Sequence, residues 1–284
     1  MQLLKPLVLG ILLSACTAGQ NLISVSTFTV EPEKRQAFDA LVGKLADLCR
    51  RNGGPEWIAM EAYYGPRHII RTVSYYGTMA DIDTSRGLLT AAVLKGLGQE
   101  GARGFWGELN STYESAYVEL RRRHPALSHG MPEDRAGFMK LLGQSRLLWV
   151  RRNVLKSGVS GDFEESMKTL KDAMQKAGYP GPFSVSSSLT GTTTYYWVRF
   201  LKSFADLEAL AKYSLSKAMG ASAYREWSRK RGEMTQERDT EILRLIPQLS
   251  NPPAEVVQAD PEFWKAQPPL PPPPKPRKEA APKK

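Results

Sequence analysis

Cysteine and histidine are scarce in this chain of 284 residues, with two of the first and three of the second. Two cysteines cannot build a disulfide framework, and no Cys/His cluster has metal-ligand spacing, so no metal is expected. No apolar run approaches the ~18 residues that a membrane-spanning helix needs, which excludes a polytopic membrane protein. There is no glycine-rich phosphate loop, dinucleotide fingerprint or Gly-x-Ser-x-Gly elbow. Paired acids such as Glu164 and Glu165 sit side by side on a predicted helix and read as a solvated face. What is present is ordinary for a globular chain: 42% hydrophobic and 24% charged residues. That excludes global disorder and collagen-like structure, and the length suits one large domain or two small ones.

The N-terminus is distinctive. One positive charge, Lys5, precedes the apolar run Leu7 to Leu13, which is of signal-peptide length. The run ends at Leu13-Ser14-Ala15-Cys16, which resembles the bacterial lipobox. That resemblance implies cleavage before Cys16, lipidation of Cys16 and anchoring to a membrane, the outer one if the host is Gram-negative. An ordinary secretory signal with an incidental Cys16 is the alternative. With Cys16 lipidated, Cys49 has no intramolecular disulfide partner. Cys49 falls on the apolar face of a predicted helix and reads as a buried, inert thiol.

The opposite end is also distinct. From Pro268 the chain is nearly half proline, which suits extended polyproline II and cannot pack a core. Five basic residues there (Lys275, Arg277, Lys278, Lys283, Lys284) face one acid, Glu279, leaving +4 of the net +10. Contact with an anionic cell-wall polymer or lipid headgroups is one reading, and a solubilising disordered end is the other. Export removes nucleic acid as a partner. Trp264, just upstream, is a candidate to pack back onto the body.

Compared with itself, the chain repeats at an offset of 125. Val25 matches Val150, Phe38 matches Phe163, Gly53 matches Gly178, Val73 matches Val198 and Asp81 matches Asp206. Near Pro125-Ala126-Leu127-Ser128 the offset slips to 122, to Pro247-Gln248-Leu249-Ser250. Each copy reads as strand, helix, strand, strand, helix. In the first, the strand Leu22 to Val30 precedes a helix striped by Phe38, Leu41, Val42, Leu45, Leu48 and Cys49. Strands Glu56 to Tyr64 and His68 to Tyr76 follow, joined at Gly65-Pro66, then a helical region from about Asp83 to Arg123. Its glycines at 96, 98, 101, 104 and 107 are expected to break it. The second copy repeats this with the stripe Phe163, Met167, Leu170, Met174, strands Phe183 to Leu189 and Thr194 to Leu201, and helix from Asp206 to Ile246.

This order resembles the ferredoxin-like module of the dimeric α+β barrel superfamily. That group includes NIPSNAP-like proteins, antibiotic-biosynthesis-type monooxygenases and stress-responsive A/B barrel proteins. The resemblance implies an α+β fold in which tandem ferredoxin-like repeats form one intramolecular α+β barrel. The expected layout is a signal peptide at 1–15, a linker at 16–21 and repeats at 22–128 and 146–250. A connector at 129–145 joins the repeats, and 251–284 is a disordered tail. Haem-degrading members use an Asn on the first strand, a Trp on the third and a helical His. Asn153 and Trp197 fall on matching elements. None of His68, His124 and His129 lies in the second copy, so no cofactor is expected.

Alternation along the strands then divides the side chains. If the helices cover Ile23, Val25, Ile58, Met60, Val73 and Tyr75, with their second-copy equivalents, the other face lines the barrel. That lining holds Ser24, Ser26, Phe28, Trp57, Glu61, Tyr63, Thr72, Ser74 and Tyr76. From the second copy it holds Trp149, Arg151, Asn153, Ser184, Ser186, Ser188, Tyr195, Trp197 and Arg199. Trp57, Glu61, Tyr63, Trp149, Arg151, Asn153, Trp197 and Arg199 are the candidate ligand-binding residues, with Arg151 and Arg199 able to converge on one anion. The competing reading has Glu61 neutralising an arginine across the interface while the aromatics fill the barrel. Two functions stay open: a non-catalytic binding or accessory protein of the cell envelope, and a cofactor-independent barrel enzyme acting on a small organic substrate.

Overall fold

The computed structural model describes residues 21–265. Cys16, the signal segment and the proline run lie outside the described residues. Eight strands close into one antiparallel barrel: β1 (Leu22–Val30), β2 (Ile58–Tyr64), β3 (Ile69–Tyr76), β4 (Tyr113–Arg123), β5 (Leu147–Leu155), β6 (Phe183–Ser188), β7 (Thr194–Leu201) and β8 (Thr235–Leu245). Their order around the barrel is β1-β3-β2-β8-β5-β7-β6-β4. The protein is thus a mixed α+β fold around a closed eight-stranded barrel. Each half contributes four neighbouring strands, and the halves meet along β2–β8 and β4–β6.

The 125-residue offset reappears in the register. Val25 pairs with Val73 across β1 and β3, and Val150 pairs with Val198 across β5 and β7. Helix α1 (Arg35–Asn52) buries Phe38, Val42, Ala46, Leu48 and Cys49 and stops at Gly53, whose φ of 73° is the left-handed conformation glycine adopts without strain. Helix α4 (Ser160–Lys176) buries Phe163, Met167, Leu170 and Met174 in the same way. The offset breaks on one strand: Ile58 faces Val73, whereas Ser184, not Phe183, faces Val198.

Three expectations are corrected. The stretches at 113–123 and 235–245 are strands β4 and β8, not the ends of long helices. Their residues 114–118 and 236–240 are solvent-exposed and carry no apolar alternation, so the helical pattern before them ran on unopposed. Helix α2 (Met79–Asn110) therefore ends earlier, and of its glycines Gly98 alone takes non-helical angles. The second copy's helical region divides into α5 (Phe204–Ala211), α6 (Leu215–Met219) and α7 (Ala221–Met234).

The face assignment is also reversed. Ile23, Val25, Ile58, Met60 and Val73 share one buried cluster with Leu148, Val150 and Phe200 of the other half, and that cluster is the barrel interior. Helices α1 and α4 instead cover the faces bearing Trp57, Ala59 and Ile70, and Phe183, Tyr195 and Trp197. Alternation separates two faces without saying which is inside. The interior face took this apolar set together with two largely buried ion pairs, Arg71–Glu241 and Arg121–Glu119, whose residues stand in register with Met60, Val150, Ile23 and Val25. Because of the one-residue slip on β6, Ser184 and Ser186 share the interior-facing side with their partners Val198 and Tyr196.

The connector and the start of the tail belong to the core. Helix α3 (Arg135–Gly143), capped by Asp134, buries Phe138, Met139 and Leu142 in the interior cluster. Helices α8 (Ala254–Ala259) and α9 (Pro261–Trp264) pack beside it, and Trp264, 4% exposed, donates through Nε1 to the Gly143 carbonyl at 2.7 Å. A Cβ at Gly143 would lie 2.5 Å from the Val256 carbonyl oxygen, so only glycine permits this approach. The folded body therefore runs past 250, because the barrel interior needs these side chains to fill it.

Candidate functional site

The expected single lumen site does not form; its residues divide between two separate faces, each under its own half's helices. In the first half a cavity of about 340 Å³ lies between the sheet and helices α1 and α2. Its floor is a block of four hydroxyls, because Ser24 pairs with Ser74 and Ser26 with Thr72 across β1 and β3. Its walls are apolar: Phe28, Phe38, Val42, Leu45, Leu89 and Trp106. A capping box between Thr78 and Asp81 fixes the start of α2. That start sets Ser85 and Arg86 at the cavity, and the Tyr76 hydroxyl lies 3.0 Å from Ser85 Oγ. Among the described residues, no carboxylate, histidine or cysteine lines this space.

The first-half candidates behave differently from one another. Trp57 lines the cavity, but its Nε1 is committed to the Leu249 carbonyl at 2.7 Å. Glu61 is a structural anion: Arg35 donates to it at 2.9 Å and Arg244, on β8 of the other half, also pairs with it. Burial pushes the Glu61 carboxyl up, but the bonds from Arg244 and Arg35 outweigh this and hold it below its ordinary range. Tyr63 is 47% exposed and packs with Tyr64 and Phe204 at the surface.

In the second half, Trp149 pairs with Arg199 and Arg151 with Trp197, giving a checkerboard of two tryptophans and two arginines on the helix-covered face. Asn153, fully buried, lies on the same face and donates weakly to the Tyr195 carbonyl at 3.4 Å. Sequence reasoning missed Arg231 on helix α7 (Ala221–Met234). Its guanidinium reaches over the ring of Trp197 (4.4 Å) and that of Trp227 (4.8 Å), and its Nη2 is 3.4 Å from Asn153 Oδ1. Burial, with Arg238 and Arg151 adding repulsion, pushes its pKa down to about 9. The Trp227–Arg231 spacing of four residues was the available signal, since such a pair shares a helix face.

The histidines and Cys49 are accounted for locally. His68 takes φ 61° in the β2–β3 turn. His124 Nε2 bonds Ser187 Oγ at 2.8 Å with its ring stacked on Tyr195, and His129 Nε2 lies 3.0 Å from the Tyr179 carbonyl. Cys49 is buried, which pushes its thiol up to about 11 and leaves little thiolate. Among the described residues, no three His, Cys, Asp or Glu side chains group as a metal site, and no helix is long and apolar enough to cross a membrane.

No family model matches this sequence, and no curated protein matches it. Solved structures of similar architecture exist. An anthrone oxidase-like protein aligns over 80% of this chain and 92% of its own, with 12% identity and a TM-score of 0.49. A candidate monooxygenase of Lactobacillus acidophilus NCFM aligns over 80% and 94%, with 10% identity and a TM-score of 0.48. The chlorite dismutase of Candidatus Nitrospira defluvii, in complex with imidazole, aligns over 87% and 96%, with 12% identity and a TM-score of 0.45.

Proposed function

We propose that this protein holds a small, uncharged aromatic molecule in the first-half cavity and acts on it as a cofactor-independent barrel enzyme. One observation carries the reading: four hydroxyls in a block beneath apolar and aromatic walls. Ser74 Oγ donates to the Glu56 carbonyl at 2.8 Å. A packed core would not choose Ser24, Ser26 and Thr72 beside it, because hydroxyls under apolar cover are costly unless they are bonded. A planar ligand with phenolic or ketone oxygens meets both surfaces. Tyr76, Ser85 and Arg86 are the groups at hand to orient such a molecule or move a proton. The absence of a carboxylate or histidine from the cavity wall favours a second reading, a non-catalytic binding protein of the cell envelope.

The test is binding of neutral phenols and ketones of one to three rings, followed by saturation-transfer NMR, to the wild type and to Ser24→Leu and Thr72→Leu. At least one compound is expected to bind, and both variants to lose at least tenfold in affinity. Binding by none, or equal binding by the variants, overturns the cavity reading. Product formation from a bound compound separates enzyme from accessory protein.

Export belongs to the same proposal. The apolar run to Leu13 and the Leu13-Ser14-Ala15-Cys16 sequence support a lipid anchor at Cys16 in the cell envelope, with the basic tail against anionic polymer or headgroups. Cys16→Ser is then expected to move the protein out of the membrane fraction. The shared 125-residue offset in sequence and register supports descent of the two halves from one doubled ferredoxin-like unit.

A further inference from the structure

The second half offers a different chemistry on the corresponding face, independent of the first-half cavity. Several other arginines of the protein have carboxylate partners: Arg71 with Glu241 (2.8 Å), Arg121 with Glu119 (2.7 Å), Arg152 with Asp239 (2.9 Å) and Arg35 with Asp39 (2.8 Å). Arg151, Arg199 and Arg231 have none among the described residues, and the charges nearest Arg151 and Arg231 are other arginines, including Arg238. Three buried N–H groups on this face, Arg199 Nε, Arg231 Nε and Trp197 Nε1, have no acceptor among the described residues. Arg231 itself is only 4% exposed.

Every one of those groups is a donor, and the nearest amide oxygen, Asn153 Oδ1, is already shared with Arg231. A set of donors with excess positive charge and no acid selects an oxyanion. The rings add shape. Arg151 lies 4.7 Å and Arg199 5.0 Å from the Trp149 ring centre, and Arg199 also lies 5.3 Å from Tyr179. Cation–π contact eases the burial of these guanidinium groups. It leaves their in-plane N–H donors pointing elsewhere: Arg151 Nε meets Thr240 Oγ1 at a long 3.4 Å, and the remaining donors are what a carboxylate takes up bidentately. Trp149, Arg151 and Arg199 are each only partly buried, so the face is reachable from solvent.

We propose that the Trp149–Arg151–Trp197–Arg199 face is a binding site for a small aromatic carboxylate, its acid group held by Arg199 and Arg151 and its ring lodged among the tryptophans. The pattern of equal and unequal effects separates this from a purely structural arginine cluster. Salicylate, indole-3-carboxylate and 2-naphthoate are titrated into the full chain by calorimetry and tryptophan fluorescence, with benzyl alcohol and inorganic phosphate as comparison probes. At least one aromatic acid is expected to bind at least tenfold more tightly than either comparison probe. Arg199→Gln and Arg151→Gln are each expected to weaken it at least tenfold while keeping the wild-type circular dichroism, and Arg199→Lys to recover part of the loss. Binding by no aromatic acid, equal affinity in the Gln variants, or phosphate binding as well as the aromatic acids would each overturn the site. Failure here leaves the uncharged-ligand cavity standing, because Ser24→Leu and Thr72→Leu alter that cavity alone.

Discussion

The two halves are framed alike and furnished differently. On the helix-covered face, Ser24, Ser26, Thr72 and Ser74 of the first half stand 125 residues before Trp149, Arg151, Trp197 and Arg199 of the second. The pairings correspond as well: Ser24 faces Ser74 as Trp149 faces Arg199, and Ser26 faces Thr72 as Arg151 faces Trp197. The interior valines are matched in both halves, Val25 and Val73 by Val150 and Val198. The shared interior tolerates little change because both halves must fill it together, whereas each helix-covered face is packed mainly by its own half's helices. Small hydroxyls floor a cavity in one half; partly exposed rings and guanidinium groups line the equivalent face in the other.

The largest test of this equivalence is the paired substitution Phe38→Ala and Phe163→Ala. Both side chains are essentially fully buried at matching points of α1 and α4. Each loss is expected to cost about 3–5 kcal/mol by denaturant unfolding. If one variant unfolded like the wild type while the other collapsed, the halves would not be energetically equivalent.

A smaller effect sharpens the contrast in charge. Glu61 ties the halves together through Arg35 and Arg244, so Glu61→Gln is expected to cost about 1.5–3 kcal/mol at neutral pH, the range for hydrogen bonds to a charged group. Its carboxyl is held below the unfolded value, so the unfolded chain binds the proton first and the stabilisation is lost as pH falls through the folded pKa. The variant's stability profile should be flatter than the wild type's below about pH 4.5. Parallel acid profiles would show that the pair contributes nothing. Arg199→Gln, in the half whose arginines lack acids, is expected to be neutral or stabilising.

How far the sequence carried these conclusions depended on where water lies. Strand β7, Thr194 to Leu201, and strand β1, Leu22 to Val30, were readable to the residue because their β-branched and aromatic runs are bounded by turn residues. The α1 and α4 stripes were readable because one face of each helix is buried against the sheet. Strands β4 and β8 were not, since more than half of each is exposed to solvent and mixes polar side chains with exposed Tyr117 and Val118, so burial imposes no clear period. The two faces were sorted correctly along β1, β3, β5 and β7, but their inward or outward sense needed the barrel itself. Glu61 was legible as the anion of a cross-half pair. Arg231 was not legible as part of the second face, because it arrives from a helix far along the chain.

The first-half cavity supplies the next prediction. Ser24→Val places methyl groups under Phe28 and Leu45 and is expected to raise stability by about 0.5–1 kcal/mol, the usual yield of filling a cavity. A drop of similar size would mean that the hydroxyl floor is already satisfied and the cavity is not open to apolar groups.

The smallest effect concerns His124, whose ring lies between Ser187 and Tyr195 of the second half. Burial pushes its pKa down, and the opposing attraction of Glu164 only partly offsets that. The native state therefore favours the neutral ring, while the unfolded chain takes up its proton near the ordinary value of about 6.5. Between that value and the lower folded pKa the unfolded state binds more protons, so stability falls as pH falls through this window. His124→Gln keeps a partner for Ser187 Oγ without titrating, and should remove this slope while leaving the acid limb set by Glu61 unchanged. The two windows open at different unfolded values, 6.5 for His124 and 4.5 for Glu61, and the two groups belong to different halves of the barrel. A variant that changed both limbs together would show that the halves are coupled through more than their shared interior.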